Sequence, residues 1–237
     1  MLLGNRYQCP CCEWKLRAFV AERGILRASE TGYCPRCNAK ARHRRICLYL
    51  KHHTHVFSEQ IQLVEVAPWW AFARRFQETP TVDYVGVDLK RTGTQVTTIG
   101  DLIALPIKTG RMDVALCIHV LEHIEDDRKA IAELYRVLRP GGLAIITVPL
   151  RLDRPTFEDP SIRDPDERAR VFGERTHVRY YGNDFIDRLR EPGFEVSLDP
   201  ADQITTDTRR RFGLRNDENI FHCIKRGAET SGLQMQS

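Results

Sequence analysis

Asp113 to Val148 reads DVALCIHVLEHIEDDRKAIAELYRVLRPGGLAIITV, and its pattern decides the fold. Asp113 to Ile118 and residues 143–148 are short apolar runs of the kind that form parallel strands covered on both faces. Between them Ile131, Leu134, Val137 and Leu138 recur at helical spacing. Acidic residues at 125–127 suit a helix start, and Arg136 and Arg139 before Pro140-Gly141-Gly142 suit its end. The stretch therefore reads as one βαβ unit. His119, Glu122 and His123 fall where strand gives way to helix, the edge of an open α/β sheet at which ligands bind.

A chain of 237 residues has room for one large domain with a small attachment. Met1 to Pro10 has no secretory character, and the longest apolar run, Leu143 to Leu150, is far short of the ~20 residues that span a bilayer. The expectation is a cytoplasmic protein with no membrane partner. Charge is unevenly spread: residues 1–58 hold eleven Lys or Arg against three Glu, a net +8 where the whole chain is +4, which leaves −4 for the rest. The basic character belongs to the front.

That front carries Cys9-Pro10-Cys11-Cys12 and Cys34-Pro35-Arg36-Cys37, two Cys-x-x-Cys knuckles. Each presents two thiolates on a tight turn, and two knuckles complete the tetrahedron that zinc favours. The expectation is a structural Zn2+ on Cys9, Cys12, Cys34 and Cys37, with Cys11 able to replace Cys9 or Cys12. Trp14, Phe19, Val20, Ile25 and Leu26 would cover a short hairpin between the knuckles. Disulfides or free thiols are the alternative, disulfides being disfavoured because nothing suggests export. Asn38 to Phe57 reads as a helix leading out, with Arg42, His43, Arg44 and Arg45 as a basic run. Such a run admits nucleic-acid binding, but a solvated helix face or docking to an acidic domain is commoner. His52, His53 and His55 read as a polar helix end.

The large domain begins near Gln60. Ile61 to Ala67 is strand-like, Pro68 to Gln77 looks helical, and Val82 to Val87 is a second strand closed by Asp88. A carboxylate there, about 20 residues past the first turn, is where ribose hydroxyls are held in nucleoside sites. A helix at Asn183 to Arg190 and strands around Phe194 to Leu198 and Asn219 to Lys225 follow, the last two as an antiparallel pair.

In this order stand VEVAP, YVGVDL, GDLIALP, DVALCIHVLEHI and RVLRPGGLAIITVP. With them, residues 61–226 resemble a class I S-adenosylmethionine-dependent methyltransferase of the branch written LEHI…LRPGG. With CPCC, CPRC, the ARHR run and HVRYYG, the whole chain is similar to a bacterial group in which a zinc ribbon precedes that domain. The resemblance implies an α/β, Rossmann-like, mostly parallel sheet with an antiparallel C-terminal strand and a small N-terminal zinc module. The implied divisions are 1–45 for the module, 46–59 for a linking helix and 60–230 for the methyltransferase domain. Within the domain a lid insert spans 150–182, and a flexible tail follows at 231–237.

The resemblance also implies roles by position. Glu65, with Ala67 and Pro68, would meet the methionine end of S-adenosylmethionine. Asp88 with Leu89 would take the ribose hydroxyls, Asp101 with Leu102 would frame the adenine, and Ile118 and His119 would sit beside the sulfonium. One departure stands out. The first loop of the family ordinarily reads Glu/Asp-x-Gly-x-Gly-x-Gly, whereas Glu65-Val66-Ala67-Pro68-Trp69-Trp70-Ala71 has no glycine, so Trp69 and Trp70 must turn away or reshape the pocket.

Methyl transfer needs a nucleophile near attack geometry and, when it carries a proton, a base. Either His119 or His123 could take a proton; His119 is the candidate facing the cofactor, and His123 the one that braces the loop. The Pro-broken, charged stretch from Leu150 to Gly182 reads as an ordered lid rather than a helix pair. Near its end His177, with Tyr180 or Tyr181, is the acceptor-side candidate, or else pins the lid to the sheet. No Asp/Asn-Pro-Pro-Tyr/Phe and no Pro-Cys pair follows the fourth strand, and no Tyr-x-x-x-Lys occurs. This disfavours exocyclic-amine methylation, the covalent cysteine route to pyrimidine C5 and a short-chain oxidoreductase. The leading expectation is methylation of an oxygen or nitrogen on a small or sugar-like acceptor. RNA or protein methylation with the basic module as grip, and a non-catalytic binding protein, are the alternatives.

Overall fold

The computed structural model describes residues 3–21 and 28–227. Ile25, Leu26 and the 231–237 tail lie outside them. Two short hairpins build the N-terminal module: β1 (Leu3–Gln8) with β2 (Lys15–Leu16), and β3 (Phe19–Val20) with β4 (Ala28–Ser29). Helix α1 (Ala41–His53) follows, then β5 (Ile61–Val66), α2 (Trp70–Gln77), β6 (Val82–Asp88), β7 (Thr98–Ile99) and β8 (Met112–Ile118). The chain continues through α3 (Asp127–Val137), β9 (Leu138–Thr147), β10 (Phe157–Glu158), α4 (Pro165–Phe172) and β11 (Arg179–Tyr180). It ends with α5 (Phe185–Arg190), β12 (Phe194–Asp199), α6 (Thr206–Phe212) and β13 (Ile220–Lys225).

Seven strands form one sheet in the order β12-β13-β9-β8-β5-β6-β7. Strands β9, β8, β5, β6 and β7 pair in parallel, and β13 runs antiparallel to both β9 and β12. This is the Rossmann-like methyltransferase fold that the resemblance implied, with the βαβ unit near its centre. Side chains alternate between two apolar layers. Leu63, Val114, Leu116 and Ile145 face one, while Val64, Ala115, Cys117 and Ile146 face the other, as the two-residue period of a strand requires.

The two layers have different covers. α3 and α5 supply Ile131, Leu134, Phe185 and Leu189 on one side. The other side is closed by α1, α2 and the cysteine module together: Tyr7, Leu16, Phe19, Ile46, Leu50, Phe72 and Phe76 share one cluster with Leu63 and Leu116. α1 is thus sheet cover rather than a connector between two separate bodies.

Element ends follow local chemistry. Asp126 caps α3 by accepting from the Lys129 amide at 3.0 Å, and Pro140-Gly141-Gly142 bars helical continuation. α1 is shorter than the sequence suggests, because Asn38 adopts a left-handed φ of 56° ahead of it and Thr54 returns to extended backbone behind it. α2 starts at Trp70, two residues after the expected Pro68, since Ala67 turns the chain with φ 48°. The 150–182 insert contains one helix and the β10–β11 pair. Asp164 caps α4 and Gly173 closes it at φ 88°.

Candidate active site

The module brings all four predicted thiols together. Cys9 Sγ lies 3.6 Å from Cys37 Sγ, Cys12 Sγ lies 3.7 Å from Cys34 Sγ, and all four sulfurs fall within 4.8 Å of one another. Sulfurs bound tetrahedrally to zinc at about 2.3 Å would sit roughly 3.8 Å apart, so the donor set fits that ion. Each knuckle ends in a left-handed residue, Glu13 (φ 61°) after Cys12 and Asn38 after Cys37, which reverses the chain. Cys11 is not the fourth donor. It is buried and turns to Cys47, whose thiol lies 2.7 Å from it.

The sheet's C-terminal edge gathers the residues expected to meet a nucleoside. Val66 is in register with Val87 and with Cys117, so Ala67, Asp88 and Ile118, each one residue on, leave three adjacent strands at the same rim. The Ala67 amide donates to Val87 O at 2.8 Å and the Gly100 amide to Asp88 O at 3.0 Å, which stitches the loops side by side. Asp88 closes β6, and Asp101 follows the adjoining β7. Each carboxylate orders its own turn, Asp88 accepting from the Leu89 amide at 2.7 Å and Asp101 from the Ile103 amide at 3.1 Å. Their remaining lone pairs stay available to hydroxyl or amine donors. Leu89 (62% exposed) and Ile99 (50%) offer bare apolar surface beside them, whereas Leu102 is buried in the core.

Glu65 is drawn deeper than a ligand-facing carboxylate would be. It is buried, accepts from the Tyr84 hydroxyl at 2.9 Å and the Trp69 amide at 3.3 Å, and burial pushes its pKa up to about 8 despite those two bonds. It braces the first loop from below. The tryptophans do turn away. The Trp69 indole N–H donates to Asn38 O at 3.3 Å and its ring stacks on His43, while Trp70 lines a hollow with Cys12, Cys37 and Arg74. Ala67 occupies the first glycine position of the family loop in a left-handed conformation, which costs an alanine about 1–2 kcal/mol.

His119 also has a left-handed backbone, φ 54°. Its Nδ1 lies 3.2 Å from Glu122 Oε1 and its Nε2 3.2 Å from Glu218 Oε2. Burial works against the imidazolium, but the two carboxylates prevail and hold its pKa up to about 9. At neutral pH it is a cation, so it serves first as a positioned donor and not as the free base the sequence suggested. Glu218, from the loop before β13, carried no local motif that would have marked it.

The insert is fastened to the turn after β8. The Val178 amide donates to Glu122 O at 2.9 Å, and Arg179 donates to Leu121 O, Ile124 O and Glu125 O. Tyr181 is buried, its hydroxyl donating to Asp127 at 2.8 Å and to Leu121 O at 3.2 Å; this phenol is a pin and not an acceptor-side group. Tyr180 lies under the Arg151 guanidinium, 3.9 Å from its ring centre. His177 is brought against His123, with ring centroids 4.7 Å apart, and burial lowers its pKa.

The basic run differs from expectation. Arg44 is fully buried and donates to five carbonyls: Gly32, Ala39, Thr31, Phe212 and Gly213. Arg45 is buried against Asp199, and His43 is enclosed between Trp69 and Phe72. The segment that sequence offered to a nucleic acid is therefore largely internal. A Lys/Arg run shows charge but not whether carbonyls await it.

The comparisons agree with this geometry. A methyltransferase-domain family model matches residues 67–146, from the first loop through β9. Over those residues the chain carries a methyltransferase domain. It is 38% identical over 97 residues to a Mycolicibacterium smegmatis protein described as a "Probable S-adenosylmethionine-dependent methyltransferase", an overlap of 41% of this chain and 34% of that one. It is 42% identical over 48 residues to norajmaline N-methyltransferase of Rauvolfia serpentina, covering 20% and 16% of the two chains. The chain thus spans about a third or less of these relatives. Among solved structures, the [4+2]-cyclase SpnF superposes with a TM-score of 0.54 at 16% identity over 78% of this chain and 80% of that one. Phosphoethanolamine N-methyltransferase 2 of Haemonchus contortus does so at 0.51 and 14% over 76% and 52%. Both are likenesses of fold. No described helix is long and apolar enough to cross a membrane.

Proposed function

We propose that this chain transfers the methyl group of S-adenosylmethionine to an oxygen or nitrogen of a small-molecule or sugar-like acceptor. The observation that carries the reading is the placing of Asp88 and Asp101 at the ends of two paired strands, on the rim shared with Ala67, Ile118 and His119. Asp88 takes the ribose hydroxyls, Asp101 the adenine amine, and Leu89 one face of the base. The backbone at Ala67 and Pro68 approaches the methionine end, with Glu65 as its brace. Ile118 and cationic His119 border the sulfonium. His123, His177 and Tyr180 form the acceptor side, where the insert meets the turn after β8. Zn2+ bound by Cys9, Cys12, Cys34 and Cys37 is structural in this reading, since the module belongs to the sheet's own core.

Calorimetry with S-adenosylmethionine and S-adenosylhomocysteine tests the donor site. The expected outcome is saturable heat with both, weakened at least tenfold in Asp88→Ala and in Asp101→Ala. No heat from folded, zinc-loaded protein would leave a domain that keeps the fold without its cofactor.

A further inference from the structure

We propose that Glu122, His123 and His177 form a second metal site, for a divalent first-row transition cation, separate from the four-cysteine cluster. One donor atom from each of the three lies within 4.8 Å of the others. Two imidazoles and one carboxylate suit Zn2+, Mn2+, Fe2+ or Co2+ and leave coordination positions open for water or a ligand oxygen. Donors about 2.1 Å from one tetrahedral ion sit ~3.4 Å apart, so the three side chains complete the set by drawing together by roughly an ångström.

Each donor is already prepared by its neighbours. Thr176 donates its hydroxyl to Glu174 and accepts from His123 Nδ1 at 2.8 Å, which leaves the Nε2 lone pair of His123 free. His177 Nδ1 donates to Phe172 O at 3.3 Å, which frees its own Nε2. Outer-nitrogen bonds of this kind fix the tautomer and aim of metal-binding imidazoles. Glu122 supplies the independent observation. It is 1% exposed, and neither carboxylate oxygen accepts a hydrogen bond. Among the described residues its one ion-pair neighbour is the His119 cation, 3.2 Å from Oε1, whose charge is shared with Glu218 on the opposite nitrogen, so Oε2 has no partner. A carboxylate so buried and so poorly satisfied is costly, and a dication beside it resolves the deficit.

The site joins two segments far apart in sequence, the turn after β8 and the end of the insert. Its existence rests on these donors alone. Its role rests on the proposed methyl transfer: the open positions would hold an acceptor oxygen and make its hydroxyl more acidic, so that His123 and His177 act as ligands and not as bases.

Zinc-loaded protein freed of loose metal is titrated with Mn2+, the bound ion being counted by electron paramagnetic resonance, and separately with Zn2+. The expected result is one further equivalent in the wild type. It weakens at least tenfold in Glu122→Gln and in His123→Ala, with the cysteine-bound zinc and the far-ultraviolet circular dichroism unchanged. The exposed position of His123 keeps the test valid if the buried Glu122 variant fails to fold. Absence of any second equivalent of either ion, or equal binding by His123→Ala and wild type, overturns the site. Calorimetry with S-adenosylhomocysteine on the same samples reads the donor site separately. Metal uptake without cofactor heat removes the methyl-transfer role and keeps the site, whereas cofactor heat without metal uptake does the reverse.

Discussion

Tyr84 donates its hydroxyl to Glu65 Oε2 across 2.9 Å, joining the middle of β6 to the end of β5 beneath the first loop. Both groups are pushed upward in pKa, chiefly by burial, and the Glu65 carboxyl reaches about 8. The folded state therefore holds a proton that the unfolded chain, titrating near 4.5, has released. The resulting stability is complete below pH 4.5 and is lost as pH rises through about 8, on the order of a few kcal/mol. Denaturant titrations from pH 4 to 9 should show wild type losing stability relative to Glu65→Gln through that window. A pH-independent difference would mean that Glu65 is ionised in the fold.

Ala67 occupies a left-handed turn where glycine carries no Cβ penalty. Ala67→Gly should stabilise the protein by up to about 1 kcal/mol after the extra freedom of unfolded glycine is subtracted, with cofactor affinity kept or improved. Ala67→Val should lower both. Melting temperature and calorimetry check the pair together, and a destabilised glycine variant would remove the strain argument.

Arg44 separates an internal clamp from a surface charge. Replacement by Lys keeps the charge but supplies three donors where five carbonyls are engaged. Arg44→Lys should therefore cost about 3 kcal/mol or more, read by urea unfolding. A nearly neutral Lys variant would place the guanidinium in solvent instead.

If Zn2+ holds the two knuckles, Cys34→Ser or a strong chelator should lower the melting temperature of the entire molecule in one transition. The thiolates share a cluster with Leu63 and Leu116 of the sheet, and structural zinc contributes directly to folding free energy. A two-step melt, with the sheet unaffected, would show the module to be independent.

Much of this architecture was readable in advance because its signals are local. The βαβ stretch declares itself through apolar runs, Asp126 as a cap and Pro140-Gly141-Gly142 as a stop. The knuckles declare themselves by a two-residue gap. Asp88 could be placed at a strand end by counting, whereas Asp101 was singled out only by the family resemblance. What stayed hidden depends on partners distant in sequence. Glu218 reaches His119 across 99 residues, Arg44 reaches Phe212 O across 168, and Tyr84 is an unremarkable strand tyrosine until Glu65 is placed beneath it. Charge in a sequence reads as surface, and only three-dimensional packing shows which cations are enclosed.

The bond from the Trp69 indole to Asn38 O has a reach beyond its own strength. Asn38 immediately follows Cys37, and Trp69 leads into α2 from the loop that carries Ala67, so the cysteine cluster and the first loop share a mechanical support. A shift of the turn that follows Cys37 is therefore carried to Ala67 through a single hydrogen bond.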